Sequence, residues 1–265
     1  MRDISYDIDR TEEVINYHKS DNYSQVYASS NEKINFLFSD IDVKGKNVLS
    51  VVASGDQAFH FYNKGASLVD VFDVNVLSLY YYYLRVWNME YNHCFYLNSF
   101  KVSKIKKILA SVTPKNDDEA MALSYWKLFV KRFHGNQLRY MLLNDNSYNN
   151  IDDLDLIVKK LKLRNFKTYN FDICETVNID SKYDIIYTSN ISEWLAKSFR
   201  KFNIYESNLY NLLSDNGIVL SSHVSWDQVG CDELYVFQKH FDYKDISCVL
   251  KSGRKINFGY VYKKR

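Results

Sequence analysis

Cysteine is scarce and scattered in this chain. Cys94, Cys174, Cys231 and Cys248 stand far apart with no Cys-x-x-Cys pair, which argues against a zinc framework or a disulfide scaffold. His18, His60, His93, His134 and His240 show no ligand spacing either, so no metal is assigned. Long apolar runs are missing, and none approaches the roughly 20 residues a membrane-spanning helix needs. The opening MRDISYDIDRTEEV is acidic and polar, unlike a secretory leader, so the expected location is cytoplasmic. An excess of charge of one sign is missing too: the net charge is +2, which gives no whole-molecule pull toward nucleic acid or membrane. The lysine clusters KVSKIKKIL, KKLKLRNFK and YKKR read as solvated helix faces and a soluble tail. There is no internal repeat and no low-complexity linker. The single proline, set among many Asn, Tyr, Lys and Ile, reflects genome composition and carries no functional weight.

What is present is a core. Of the 265 residues, 46% are hydrophobic and 16% aromatic, enough for one large globular domain or one domain carrying an insertion. The most informative stretch is 47–75, NVLSVVASGDQAFHFYNKGASLVDVFDVN. Residues 48–52 form a β-branched apolar run suited to a strand buried on both faces of a parallel sheet. Ala53-Ser54-Gly55-Asp56 breaks it. A helix can begin at 57, its free N–H groups facing the sheet edge. Residues 69–72 form the next strand, and Asp73 at its carboxyl end can accept hydrogen bonds from ribose hydroxyls.

Scarcity of glycine decides what this half-site holds. A dinucleotide fold uses Gly-x-Gly-x-x-Gly so that backbone can approach a pyrophosphate, and this turn has Gly55 alone. Asp56 sets a negative charge where phosphates would sit, which is unfavourable unless a cation intervenes. A cofactor without phosphates fits better, and S-adenosylmethionine, with its ribose and sulfonium, is favoured over a nicotinamide or flavin dinucleotide and over no cofactor.

The remaining pattern is α/β with a helical interruption. Residues 1–46 read as a helical lid segment, with short helices at 12–18 and 32–38. Residues 47–265 read as the cofactor-binding domain. The run VLSLYYYYLRVW has apolar residues at helical spacing, and Tyr80 to Tyr83, which cannot share one face, read as core and rim packing. Residues 99–165 show no convincing strand and form an expected helical insertion, with helices at 103–112, 117–133, 137–143 and 151–163, that builds the acceptor side. Strands are expected at 167–170, 183–188 and 217–221, the last after the turn signal Ser214-Asp215-Asn216. Helices are expected at 199–213 and 234–241. Two last runs, 246–250 and 258–262, joined by Lys251-Ser252-Gly253-Arg254, predict an antiparallel hairpin.

The turn after the first strand, Asp73 after the second, Asp172 after the third and Ser189-Asn190 after the fourth together resemble the class I S-adenosylmethionine-dependent transferase fold over residues 47–98 and 166–265. That fold is a Rossmann-like, mostly parallel sheet closed by an antiparallel carboxyl-terminal hairpin. Within it, ASGDQA with FDVN, upstream YSQVYASSNEKI and downstream TSNISEW look similar to bacterial relatives of the diacylglycerol 3-amino-3-carboxypropyl transferase of betaine-lipid synthesis. The resemblance implies roles. Ala53, Ser54, Gly55 and Asp56 surround the methionine part, and Asp73 takes the ribose hydroxyls with Val74 and Asn75 beside it. Asp172 receives the adenine amino group, Ile173 packs on the ring, and Ser189 and Asn190 line the floor near the sulfonium. The chain departs from most methyltransferases of this fold in having Ser50 where strand one carries an acid, and one glycine where there are two or three.

Transfer from a sulfonium needs positioning more than covalent help. His223, just past the fifth strand, is the histidine best placed to act as a base, with an ordinary loop histidine as the alternative. Glu193, beside Trp194, borders the acceptor. Tyr27, Ser30, Asn31 and Glu32 close over the cofactor, unless Ser30 or Asn31 caps the next helix. The expected function is transfer to a small-molecule acceptor, methyl transfer leading. The alternatives are 3-amino-3-carboxypropyl transfer, a non-catalytic S-adenosylmethionine-binding protein and, last, a nucleic-acid methyltransferase. The last is disfavoured because TSNI, and no Asn-Pro-Pro-Tyr signature, follows strand four. The sequence carries no signal of oligomeric state.

Overall fold

A computed structural model describes residues 3–17, 26–30, 32, 34–97, 101–143, 151–175, 177–195, 198–222, 241–249 and 255–265. Its centre is a seven-stranded sheet. In chain order, after the two-residue β1 (Val26–Tyr27), come β2 (Asn47–Val51), β3 (Leu68–Asp73), β4 (Leu142–Leu143), β5 (Thr168–Asn170), β6 (Tyr183–Tyr187), β7 (Leu213–Ser222), β8 (Phe241–Val249) and β9 (Lys255–Lys264). The sheet runs β5-β3-β2-β6-β7-β9-β8. All of its pairs are parallel except β7 with β9 and β8 with β9. Counting only these strands, the order is 3-2-1-4-5-7-6 with an antiparallel seventh strand, which is the expected Rossmann-like transferase sheet. Strand order reverses direction at β2, so the crevice above its carboxyl end is the natural ligand position.

Three boundaries differ from the expected ones. The turn signal at 214–216 does not precede a strand. Tyr183 pairs with Leu213 and Ile185 with Ile218, so Ser214 to Gly217 swell out as a bulge inside β7, which begins four residues early. Residues 142–143, expected as helix, pair in parallel with Val26 and Tyr27. The insertion thus carries one short strand, its partner lying far away in sequence. Phe241, expected to end a helix, opens β8; the rest of that helix, 234–240, lies outside the described residues.

The helices are α1 (Ile4–Tyr17), α2 (Ile34–Leu37), α3 (Asp56–Asn63), α4 (Val76–Asn92), α5 (Val102–Ala110), α6 (Asp117–Arg132), α7 (Leu138–Met141), α8 (Leu154–Lys162), α9 (Ile191–Leu195) and α10 (Phe199–Leu212). α4 is the hub. Every residue from Val76 to Met89 is buried, because sheet strands lie on one side and α5, α6 and α8 on others. All four tyrosines at 80–83 are therefore core, with no rim member; a helix apolar all round is one enclosed on every side. The insertion is fastened to it by polar bonds. Trp87 Nε1 donates to Glu119 Oε1 at 2.6 Å, Trp126 Nε1 to the Tyr80 carbonyl at 2.7 Å, and Arg164 pairs with Glu119 at 3.0 Å and Glu90 at 2.7 Å. α1 joins the same assembly, with Tyr80 donating to Asp7 at 3.0 Å and Arg132 pairing with Asp9 at 2.5 Å.

Candidate functional site

Where β2 ends, Val52 N still takes the Phe72 carbonyl at 2.9 Å, and the chain then turns sharply. Ala53 at φ +45° and Gly55 at φ +88° both occupy left-handed backbone, a conformation that costs a non-glycine residue about 1 kcal/mol or more. At Gly55 space forbids a side chain as well, since a Cβ would lie 2.9 Å from Tyr82 Cδ2 and 3.1 Å from Phe59 Cε2. Three N–H groups of this turn are bonded within the protein. Ala53 N donates to Asp73 Oδ2 at 3.0 Å, Gly55 N to the Val52 carbonyl at 2.5 Å, and Asp56 N to Ser54 Oγ at 3.3 Å.

Asp56, expected beside the methionine part, is turned into the protein. It is fully buried, pairs with the equally buried Arg85 and accepts Ser30 N at 2.7 Å. The cation that phosphates would have required is thus present, but it is taken. Arg85 Nη1 also donates to the Ser54 carbonyl at 2.7 Å and Nη2 to the Phe95 carbonyl at 3.2 Å, with the guanidinium 5.0 Å from the Phe59 ring centre and 4.9 Å from that of Phe95. Burial is the strongest single influence and opposes its charge, yet Asp56, by charge and hydrogen bond, together with Tyr81 and Tyr96 holds its pKa above the ordinary value.

Asp73 stands across from the turn at the end of β3. Its Oδ1 accepts Asn75 N at 2.8 Å and its Oδ2 accepts Ala53 N, while 8% of the residue stays exposed. Burial lifts its pKa to about 6, against the pull of those two N–H groups and of Ser78. Asn75 sits beside it, with its side chain committed to capping α4 through Leu77 N at 3.1 Å, as an N-cap asparagine does. Val74 is 46% exposed. Asn170, on the edge strand β5, donates to the carbonyls of Asp73 and Val74 at 2.9 and 3.0 Å and fixes this corner. Asp172 follows β5, half-buried, and accepts Cys174 N at 2.9 Å; Ile173 is buried, its carbonyl held by Asn208 at 2.8 Å.

On the other side of β2, Ser189 follows β6 at φ +54°. Its hydroxyl donates to Glu32, and Asn190 beside it is half-buried. Glu32 is the centre of this corner. Its Oε2 accepts Gln57 Nε2 at 2.6 Å, the Tyr187 hydroxyl at 2.5 Å and Ser30 Oγ at 3.3 Å, and its Oε1 accepts the hydroxyls of Ser189 and Ser222. Burial first, and then the Glu32 charge, hold the Tyr187 phenol well above its ordinary pKa, so it stays a neutral donor. Ser222 reaches this point because β9 crosses closely there: a Cβ on Gly259 would lie 2.0 Å from the Ser221 carbonyl.

The structure therefore brings 53–56, 73–75 and 189–190 to the carboxyl ends of the adjacent strands β2, β3 and β6, with Asp172 two residues past the end of the neighbouring edge strand. Tyr27 is 38% exposed and belongs to the small β1–β4 sheet. Glu193 lies on α9 directly after the crevice, its side chain outside the described part, as are the whole of His223 and Asn31. Ser30 acts as a turn former, accepting Glu32 N at 3.1 Å. Arg85, Gln57, Tyr187 and Ser222 are the members that the motif reading missed. Arg85 had a visible signal, a lone cation in a helix otherwise apolar, which must find a buried partner. Tyr187 in YDIIYT reads only as a strand former, and Ser222 as a strand end. No group of three or more His, Cys, Asp or Glu side chains suited to a metal occurs among the described residues, and none of their helices is long and apolar enough to cross a membrane.

No protein-family model matches the chain, and no curated protein does. Solved structures do. The N-methyltransferase NodS from Bradyrhizobium japonicum, in complex with S-adenosyl-L-homocysteine, aligns at 8% identity over 88% of this chain and 84% of its own, with a TM-score of 0.43. A TehB-like SAM-dependent methyltransferase from Corynebacterium glutamicum aligns at 9% identity over 99% of this chain and all of its own, TM-score 0.45. The glycopeptide N-methyltransferase MtfA with S-adenosyl-L-homocysteine aligns at 9% identity over 91% of each chain, TM-score 0.44. Likeness at that level concerns the course of the backbone, and the reading of the site rests on the geometry above.

Proposed function

We propose that this chain is a transferase that uses S-adenosylmethionine and acts on a small-molecule acceptor, methyl being the group transferred. One observation carries the reading: three N–H groups of the turn after β2 are bonded within the protein, one of them to the buried carboxylate that the turn faces, Asp73. A pyrophosphate site needs those N–H groups pointing at the ligand. A turn that keeps them suits a ligand that brings hydroxyls and positive charge and no phosphate.

The residues present fit such a ligand. Asp73 accepts the N–H groups of Ala53 and Asn75 and a bond from Ser78, and of its roughly four lone-pair sites one remains for a ribose hydroxyl. The 53–56 turn backs the methionine part through its backbone, and Asp172 lies one strand further out for the adenine amino group. Ser189 and Asn190 line the β6 side. S-adenosylmethionine supplies the electrophilic carbon and its own thioether leaving group. The chain supplies alignment, which accounts for much of the rate in such displacements. His223 and Glu193 are the proposed proton acceptors for an acceptor that must lose one.

Calorimetric titration with S-adenosylhomocysteine tests the reading. Saturable binding that is weakened by Asp73→Ala supports it. Tighter binding of ADP or NAD than of S-adenosylhomocysteine overturns it. Product mass then separates the two transfers: S-adenosylhomocysteine accompanies methyl transfer, and 5'-methylthioadenosine accompanies 3-amino-3-carboxypropyl transfer.

A further inference from the structure

Two buried carboxylates share Ser30, which gives its N–H to Asp56 and its hydroxyl to Glu32. They differ in one respect. Asp56 has a guanidinium. Glu32 is only 6% exposed and is surrounded by a primary amide and four hydroxyls, with no cationic side chain paired to it among the described residues. Withdrawing a carboxylate from water costs several kcal/mol unless a counter-charge is supplied, and hydroxyl dipoles restore part of that without neutralising it. A second orphan adjoins it. Gln57 is 1% exposed, and while its Nε2 serves Glu32 and Ser30, its Oε1 has no donor among the described residues. A buried acceptor left unmade costs about 1–3 kcal/mol. A negative charge without a cation and an amide oxygen without a donor, on adjoining groups at the carboxyl ends of β2, β6 and β7, ask for the same thing: a positively charged N–H donor.

We propose that Glu32 and Gln57 form an ammonium-binding site, one N–H of a primary amine replacing a hydroxyl donor on the carboxylate, whose hydroxyl rotates away, and Gln57 Oε1 taking a second N–H. The amine has two possible sources with the same chemistry. One is the amino-acid end of the sulfonium cofactor. The other is an amine-bearing acceptor. The choice between them rests on the functional reading above; the site itself does not.

The test uses the full chain and its Glu32→Gln variant. Glutamine keeps the volume, and the hydroxyls of Ser189, Ser222 and Tyr187 can rotate to serve it as donors or acceptors; thermal unfolding checks that the variant is folded. Three probes are titrated calorimetrically: S-adenosylhomocysteine, 5'-methylthioadenosine, which lacks the amino-acid end, and propylammonium chloride, the last with and without saturating S-adenosylhomocysteine. The expectation is that Glu32→Gln weakens an amine-bearing probe about tenfold or more while 5'-methylthioadenosine changes by less than about twofold. If S-adenosylhomocysteine is the probe weakened, the amine is the cofactor's. If only propylammonium is lost, it is the acceptor's. Equal weakening of S-adenosylhomocysteine and 5'-methylthioadenosine, or no change in any probe, overturns the site. Failure of the functional reading looks different: neither adenosyl probe binds the wild type, while propylammonium still binds and depends on Glu32.

Discussion

At the scale of single residues, charge placement sorts the polar groups of the crevice into those that hold the fold and those turned toward a ligand. Arg85 and Asp56 are fully buried and satisfy each other. Truncating one member of such a pair strands the other, so Arg85→Met should cost about 3–5 kcal/mol of unfolding free energy in urea titrations. Asp73 behaves differently. Its pKa of about 6 means that the free protein holds a proton there at mildly acidic pH, when the carboxylate is a poorer acceptor for a ribose hydroxyl. Affinity for S-adenosylhomocysteine should therefore be level above about pH 6 and fall below it, approaching about tenfold per unit. Asp73→Asn should bind more weakly at pH 7.5 and lose that acidic decline, a comparison that calorimetry at four pH values settles.

At the scale of elements, the turn between β2 and α3 carries the most constraint per residue. Gly55→Ala adds a Cβ against Tyr82 and Phe59 in left-handed backbone, and should cost about 2–4 kcal/mol and disturb ligand binding together. Ala53→Gly, which relieves the φ of +45° without adding an atom, should be neutral or stabilising by up to about 1 kcal/mol. Differential scanning calorimetry of the two variants separates these outcomes. This turn, and the strands flanking it, were legible because short β-branched runs and an acidic strand end are local signals. The swelling in β7 was not, since Ser214-Asp215-Asn216-Gly217 carries the same composition whether it closes a turn or bulges from a ladder. The pairing of Leu142–Leu143 with Val26–Tyr27 was invisible for a related reason: two residues have no period. Glu32 was noticed as part of a lid and not as the centre of a cluster, because its five donors come from segments that converge only once the sheet is ordered.

At the scale of the whole molecule, two buried titrations pull stability in opposite directions. His60 is fully buried in α3 beside Phe38, with neither ring nitrogen bonded to a described residue. Burial, and then Lys64, depress its pKa from 6.5 to about 4. The unfolded chain therefore takes up a proton that the folded one refuses, and the contribution of His60, complete above pH 6.5, drains away toward pH 4 by about 3 kcal/mol. Asp73, raised from 3.8 to about 6, has the reverse sign: the folded state holds the proton, and stability is gained as pH falls through that window. Replacing His60 by Leu should remove the first effect and leave the second, so at pH 5 the variant should gain about 2 kcal/mol on wild type relative to their difference at pH 7.5. Paired urea titrations at the two pH values measure this directly.

The enclosure of α4 also bears on how such a molecule can change. Because Val76 to Met89 have no face left for water, and Trp87 and Tyr80 are bonded into the surrounding helices, there is no seam along which the 99–165 insertion could be cut out and another put in its place. A graft would meet an apolar helix shaped for the old one. Drift in what the insertion recognises is thereby channelled into substitutions and loop changes made in place, each compatible with the same helix at the centre.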